Sequence, residues 1–149
     1  MDYENFFKDK YPPGVPAEID PDEFKTVIEV FEKSCERFAD KPAFSAVGVT
    51  LTYRQLDRLS EDFAAFLQNK TGLKPGDRLV VQMPNLTQYP VVVFGAMRAG
   101  IIVVNTNPLY TAREMEHQFN DSGAKAIVVL ANMAKGVQEV LPHTGIETV

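Results

Sequence analysis

Cysteine is nearly absent from this sequence, and tryptophan is entirely absent. The one cysteine is Cys35. A single cysteine excludes an internal disulfide framework and is typical of proteins kept in a reducing compartment. The cysteine content therefore favours a cytoplasmic protein.

Positive charge is also in short supply. The chain has 15 lysines and arginines against 20 acidic residues, which gives a formal net charge of -5, and the basic residues are scattered. Binding to nucleic-acid phosphates depends on clustered positive charge. We therefore predict no nucleic-acid partner.

Long hydrophobic runs are missing as well. The longest, residues 91–104, is interrupted by Arg98 and is shorter than the roughly 20 residues that cross a bilayer. The N-terminal sequence MDYENFFKDKY carries acidic residues where a secretory signal has positive charge and then an apolar stretch. We expect neither export nor a membrane span. The aromatic residues Phe6, Phe7 and Tyr11 are expected to pack on the domain or on a partner chain, because the acidic residues beside them would be repelled by anionic lipid. The alternative is peripheral contact with the inner membrane.

The chain does contain enough apolar material for one compact body. Its 149 residues are 45% hydrophobic, which is sufficient to bury a core. Residues 1–23 include a proline-rich stretch and are predicted to form an extended N-terminal arm. Residues 24–149 are predicted to form an incomplete subdomain, because residues 146–149 resemble the start of a further strand.

The most informative segment is residues 84–130, which predicts two consecutive crossover units of a parallel sheet. An Asn-opened helix ends at Gly100, a strand follows at residues 101–104, and a second helix begins at Thr111, where Glu114 completes a capping box. Strands near residues 79, 101, 126 and 146 alternate with helices, which requires parallel pairing. The predicted fold class is therefore α/β, with a parallel sheet and crossover helices.

The preceding residues predict a helix, a short hairpin around Gly48 and a second helix. The second helix opens with a capping box formed by Thr52 and Gln55. Its apolar residues recur at helical spacing. The predicted buried stripe is Leu56, Leu59, Phe63, Phe66 and Leu67.

Residue types that carry chemistry do not assemble into a recognisable site. Glu114 and His117 have the spacing of half a di-iron motif, but that motif needs a second pair, and His143 lies in a predicted loop. Cys35 falls on an apolar helix face without a paired base. The sequence has neither a Gly-x-Gly-x-x-Gly nor a Gly-x-x-x-x-Gly-Lys phosphate loop. We predict no catalytic residue and no metal ligand.

The best candidate for a ligand-facing segment is the loop at residues 105–111. It leaves the carboxyl end of a parallel strand, where open α/β sheets bind ligands. We nevertheless favour a capped turn as the interpretation of this loop, because Asn and Thr side chains bond to local backbone and Pro108 rigidifies the loop. Arg98 and Arg113 are candidates for contact with an anionic substrate, and the alternative is pairing with helix carboxylates.

An ordered series of short motifs resembles the adenylate-forming (AMP-binding) superfamily and, within it, the bacterial long-chain fatty-acid–CoA ligases. The motifs are NFFKDKYP at 5–12, KPAF at 41–44, LTY at 51–53, KPGDR at 74–78, PN at 84–85, VFGAMRAG at 93–100, VNTNPLYT at 104–111, RE at 113–114, EHQ at 116–118 and NDSGA at 120–124. The resemblance covers nearly the whole chain.

The resemblance implies a function for a longer parent enzyme. Such an enzyme converts a fatty acid and Mg-ATP to an acyl-adenylate and then transfers the acyl group to coenzyme A. The family's phosphate loop, ribose-binding Asp and catalytic Lys have no counterpart here, so the substrate-binding residues stay unknown and the chain is expected to be an inactive scaffold. The resemblance also implies that the N-terminal arm takes part in homodimer contacts. The alternative is a free-standing, non-catalytic module that dimerises or binds a partner through its sheet edge.

Overall fold

The computed structural model describes residues 10–16 and 18–149. Five α-helices and five strands lie within these ranges, together with short 3-10 turns. In chain order they are α1 (Val27–Phe38), β1 (Pro42–Ala46), β2 (Val49–Thr52), α2 (Tyr53–Lys70), β3 (Arg78–Gln82), α3 (Gln88–Arg98), β4 (Ile102–Asn105), α4 (Ala112–Ser122), β5 (Ala126–Val129) and α5 (Ala134–Val140). Phe6 and Phe7 lie outside the described residues, so their contact with lipid or protein stays a prediction.

Strands β3, β4 and β5 form the predicted parallel sheet. Their order is β4-β3-β5, with β3 in the centre, and the α/β fold class is confirmed. The predicted fourth strand is reduced to a single parallel bridge between Ala126 and Thr148. There the Ile127 amide donates to the Thr148 carbonyl at 2.9 Å.

The two faces of β3 are covered by different helices, because successive side chains of a strand point to opposite faces. Leu79 and Val81 pack with residues of α2 and α3, whereas Val80 packs with residues of α4 and α5. Apolar cover on both faces explains why β3 is a continuous apolar run in the sequence.

Helix α1 and the antiparallel hairpin of β1 and β2 lie beside α2 and α3. Phe31 and Cys35 of α1 are buried with Leu56 of α2, and the rings of Phe31 and Phe94 stack with centroids 3.8 Å apart. The hairpin and the helix before it, both predicted, are confirmed.

The predicted buried stripe of α2 is partly wrong. Leu56 and Leu67 are buried, but Leu59 and Phe66 are 41% and 49% exposed. The buried face instead includes Ser60 and Ala64. The reason is the close approach of α3, since a Cβ on Gly95 would lie 2.8 Å from the Ser60 carbonyl oxygen. Helix α3 therefore packs on the small residues of α2, and the larger side chains of Leu59 and Phe66 remain exposed to solvent.

Arg98, at the end of α3, connects three helices. Its guanidinium is 3.2 Å from the Glu32 carboxylate of α1. It also pairs with Asp57 of α2 and, at 3.4 Å, with Glu61 of α2. The Arg98 side chain is 13% exposed, and a charge this buried is retained only when it is paired. Pairing with helix carboxylates is thus confirmed for Arg98, although its partners lie on other helices.

Candidate functional site

The carboxyl ends of the three parallel strands lie together at one side of the sheet, which we call the carboxyl edge. In the register of the sheet, Val81 pairs with Asn105 and Gln82 pairs with Val129. Helices α3 and α4, which follow β3 and β4, pack on opposite faces of the sheet. Ligands of open α/β sheets bind where neighbouring connections diverge in this way. The carboxyl edge is therefore the candidate functional site.

Hydrogen bonds hold the first half of the 105–111 loop at this edge. The Thr106 amide donates to the Val81 carbonyl at 3.0 Å, and the Thr106 hydroxyl donates to Gln118 Oε1 at 2.6 Å. Gln118 Nε2 donates back to the Asn105 carbonyl at 3.1 Å. The Tyr89 hydroxyl donates to Asn105 Oδ1 at 2.9 Å. Contacts from α3 and α4 thus fix the start of the loop.

The second half of the loop is held by its own residues and by Gln82 of β3. Asn107 accepts through Oδ1 from the Leu109 amide at 3.0 Å and through its carbonyl from the Tyr110 amide at 3.1 Å. The predicted capping box of Thr111 and Glu114 is present, and bonds from the Thr111 amide and hydroxyl lower the pKa of Glu114. These bonds agree with a capped turn, and contact with a ligand stays a prediction.

The loop still presents an apolar group. Leu109 is 86% exposed, although its own amide and the following Tyr110 amide both donate to Asn107. Covering a residue whose backbone is already held costs little further backbone conformational entropy. Leu109 is the clearest outward-facing apolar residue of the carboxyl edge.

Sequence reasoning missed Gln82, which ends β3 beneath this loop. Gln82 is 2% exposed. Its Nε2 lies 3.4 Å from the Asn107 carbonyl and 3.3 Å from Met115 Sδ. The signal in the sequence is a carboxamide at the end of an apolar run, Leu79 to Val81, in a strand that is buried on both faces.

A small cavity of about 220 Å³ lies between the hairpin and the start of α3. Its lining includes Phe44, Ala46, Leu86, Thr87 and Pro90. It is smaller than the pockets of roughly 300 Å³ or more that hold drug-sized ligands. It has room for a small apolar group only.

The other residues singled out from the sequence do not join the carboxyl edge. Arg98 is bound by carboxylates near α1, and Arg113 lies with His117 on the exposed side of α4. Glu114 caps its own helix, so Glu114 and His117 do not form half of a metal site. His143 uses its carbonyl, which accepts a bond from Asn120 at 2.9 Å.

Cys35 is unsuited to act as a nucleophile. Burial, followed by the charge of Asp57, raises the pKa of its thiol to about 11. The thiolate is the reactive form, so Cys35 is protonated at neutral pH. Across residues 10–16 and 18–149, no group of three or more His, Cys, Asp and Glu side chains is placed to hold a metal ion. Within the same ranges, no helix is both long and apolar enough to cross a membrane.

Comparison with known proteins decides the family. The family model described as AMP-binding enzyme matches residues 31–149. The chain belongs to the AMP-binding enzyme family. The resemblance recognised in its motifs is thereby confirmed.

Known AMP-binding enzymes resemble this chain in sequence and in structure. A long-chain-fatty-acid–CoA ligase of Salmonella typhimurium is 52% identical over 140 residues, which are 94% of this chain and 25% of that protein. A long-chain-fatty-acid–CoA ligase of Archaeoglobus fulgidus superposes with a TM-score of 0.75 at 25% identity, over 82% of this chain and 26% of the other. The N-terminal domain of FACL13 from Mycobacterium tuberculosis shares the fold, with a TM-score of 0.77 at 23% identity over 84% of this chain and 33% of the other.

These matches cover most of this chain but only a part of each relative. The chain spans about a quarter of the length of the curated relatives that it matches. It resembles the N-terminal part of these ligases.

The carboxyl edge of this AMP-binding family member does not fit the triphosphate of Mg-ATP by itself. Stabilising phosphate charge requires lysine, arginine, metal ions or converging backbone amides. The groups that converge here, on Gln82, Tyr89, Asn105, Thr106 and Gln118, are neutral. The edge can bind through neutral hydrogen bonds and apolar contact, and within residues 10–16 and 18–149 its converging groups supply no counter-charge for phosphate.

Proposed function

We propose that the chain is the scaffold-forming front part of an ATP-dependent long-chain fatty-acid–CoA ligase. The observation that carries this proposal is its 52% identity, over 94% of its length, to a ligase of that type. The parallel sheet with helices on both faces supports it, because solved ligases share that fold.

The proposed reaction has two steps. In the first, a carboxylate oxygen of the fatty acid attacks the α-phosphorus of Mg-ATP, so that an acyl-adenylate forms and pyrophosphate leaves. In the second, the thiol of coenzyme A releases its proton to solvent, its sulfur attacks the acyl carbonyl carbon, and AMP leaves with the electron pair of the broken carbon–oxygen bond. Fatty acid, ATP and coenzyme A are therefore the proposed substrates of the whole enzyme.

The part of this chain in that reaction is structural. Its sheet positions the neutral carboxyl edge. The Arg98 guanidinium is already paired with three carboxylates. The groups that stabilise phosphate charge and promote acyl transfer are proposed to lie outside these 149 residues. We expect the chain alone to form no acyl-CoA.

A chimera tests the scaffold function directly. The matching 140 residues of the Salmonella typhimurium ligase are replaced by this chain, and oleoyl-CoA formation from ATP, oleate and coenzyme A is measured. We expect activity within about tenfold of the unmodified ligase, because the packed elements are shared. A folded but inactive chimera contradicts the proposal. Oleoyl-CoA formation by the 149-residue chain alone, above a control without protein, contradicts its scaffold part.

We propose a cytoplasmic protein that forms a homodimer through the arm at residues 1–23, with at most peripheral contact with the membrane. In the described part of the arm, Ile19 is 91% and Val15 is 47% exposed. Sedimentation of the whole chain tests this, with Ile19→Ser expected to weaken association. An unchanged distribution of species in Ile19→Ser contradicts the arm as the dimer contact.

A second candidate is a free-standing module that binds a partner through its sheet edge. Strand β4 favours it, because within the described ranges β4 pairs with β3 alone and Ile102 is 53% exposed. An exposed edge strand can pair with another chain, and an edge lysine prevents such pairing. Ile102→Lys should therefore abolish association by this route, whereas a dimer that persists in Ile102→Lys excludes β4 as its interface.

A further inference from the structure

Gln82 breaks the pattern of the strand that it ends. The three preceding residues are apolar and almost fully buried, and Gln82 is equally buried at 2% exposure. Its Oε1 has no hydrogen-bond partner within residues 10–16 and 18–149. An uncompensated buried polar group destabilises a protein, whereas an apolar side chain of similar volume does not. An unbranched apolar residue such as methionine would suit the core better.

The contacts that Gln82 does make lead to the candidate loop. Its Nε2 donates toward the Asn107 carbonyl oxygen at 3.4 Å, which also accepts from the Tyr110 amide at 3.1 Å. The same Nε2 lies 3.3 Å from Met115 Sδ of α4. Gln82 therefore joins the end of the central strand to the turn that carries the exposed Leu109.

We infer that Gln82 is a positioning residue that holds the 107–110 turn at the carboxyl edge at a cost in stability. Local rules of packing are broken mainly where function requires it. A role of this turn in facing the substrates rests on the proposed ligase function, whereas its attachment to β3 rests on the contacts of Gln82 alone.

The test compares Gln82→Met with the original 149-residue chain in two measurements. Methionine has a similar volume and donates no hydrogen bond. The urea midpoint should rise, because the uncompensated carboxamide is removed. Hydrogen exchange of the Leu109 and Tyr110 amides should become about 2- to 10-fold faster, as expected when one hydrogen bond that closes a loop is lost. Exchange of the Val80 and Ile127 amides in the sheet should not accelerate.

A higher urea midpoint together with faster exchange of the Leu109 and Tyr110 amides distinguishes a positioning role of Gln82 from a structural one. If Gln82→Met lowers the urea midpoint and speeds exchange throughout the sheet, Gln82 is an ordinary core residue and the inference is wrong. If the exchange of Leu109 and Tyr110 is unchanged, the turn is held without Gln82 and the inference is also wrong. Gln68→Met, an exposed substitution of the same kind on α2, should change neither quantity.

A measurement on the unsubstituted chain covers the case in which Gln82→Met does not fold. The side-chain NH₂ protons of Gln82 should exchange with solvent at least about tenfold more slowly than those of exposed Gln68, because they are buried and bonded. Equal rates overturn the inference. These measurements do not depend on ligase activity, so failure of the chimera and failure of this inference are distinguishable.

Discussion

The two ends of the parallel sheet are built from different chemistry. At the amino ends of the strands, charged groups are paired. Lys125 Nζ lies 2.7 Å from Asp77 Oδ1, and the Arg78 guanidinium donates to the carbonyls of Ser122 and Gly123 at 2.8 and 2.7 Å. At the carboxyl edge the converging groups are neutral, and the central carboxamide of Gln82 is incompletely bonded.

The two ends of the sheet therefore differ in role. The charged contacts at the amino ends stabilise the fold, and the neutral carboxyl edge is the candidate for recognition. Arg78 places a cation where the carbonyls of α4 end and where the helix dipole is negative. Such contacts stabilise the fold. At the carboxyl edge, by contrast, the exposed apolar group is Leu109, and the Gln82 carboxamide is buried beneath the loop. Substitutions at the amino ends should therefore affect stability more than substitutions at the carboxyl edge.

The largest effect is expected for Arg78→Met. It leaves the carbonyls of Ser122 and Gly123, at the end of α4, without their charged donor, which should lower the free energy of unfolding by about 3 kcal/mol. Urea denaturation measures this change. Arg58→Met is the matched control, because Arg58 is 84% exposed and its nearest carboxylate oxygen is 4.0 Å away. The control should stay within about 0.5 kcal/mol. Similar losses in the free energy of unfolding for Arg78→Met and Arg58→Met would contradict the special contribution of the amino ends to stability.

The next largest effect is expected for Gly123→Ala. Gly123 has a φ of +60° at the end of α4, and a Cβ there would lie 2.5 Å from a terminal nitrogen of Arg78. The left-handed conformation and the displaced guanidinium should together cost about 2 kcal/mol. In an Arg78→Met background the cost should be smaller, since the displaced group is gone. Strictly additive costs contradict this explanation. Gly72→Ala, at a position with open space, is the control.

A smaller effect should appear in the pH dependence of stability. The bond from Lys125, followed by that from the Lys74 amide, lowers the pKa of Asp77. The folded protein thus binds fewer protons than the unfolded chain near pH 4. The contribution of Asp77 is present above its unfolded pKa of about 3.9 and is lost as the pH falls through the lower folded value.

Asp77→Asn should therefore flatten the fall of the urea midpoint between about pH 5 and 3, because the amide does not titrate in that window. The matched variant Asp62→Asn changes a carboxylate whose side chain is 69% exposed, and it should leave the slope nearly unchanged. Parallel curves for the original chain and Asp77→Asn would show that this ion pair does not distinguish the amino ends.

The smallest effect is expected at the carboxyl edge, for Tyr89→Phe. It removes the bond from the Tyr89 hydroxyl to Asn105 Oδ1, a neutral contact at the surface. The expected loss in unfolding free energy is about 0.5–1 kcal/mol, again measured in urea. A loss as large as that of Arg78→Met would mean that the carboxyl edge also carries the stability of the sheet.

Features set by neighbouring residues were predictable from the sequence. The capping boxes at Thr52 and Thr111 and the hairpin around Gly48 are local, and they are present as predicted. Alternation of apolar strands with helices was sufficient to predict parallel pairing. The position of the 105–111 loop at the carboxyl edge followed from the same rule.

Features set by distant residues were not predictable. Helical spacing identified apolar residues of α2, but the exposure of Leu59 and Phe66 depends on where α3 crosses α2. The partners of Arg98 on α2 lie 37 and 41 residues away along the chain. Gln82 was missed because its partner Asn107 is 25 residues away and no local pattern joins the two.

The contacts of Arg98 also have a consequence for local unfolding. Helices α1, α2 and α3 share one cation, and Phe31 of α1 stacks on Phe94 of α3. If α1 detached alone, it would uncover that stacked ring and remove a carboxylate from a largely buried guanidinium. Helix α1 is therefore coupled to α2 and α3 through Arg98 and the Phe31–Phe94 stack, and we expect these three helices to open together.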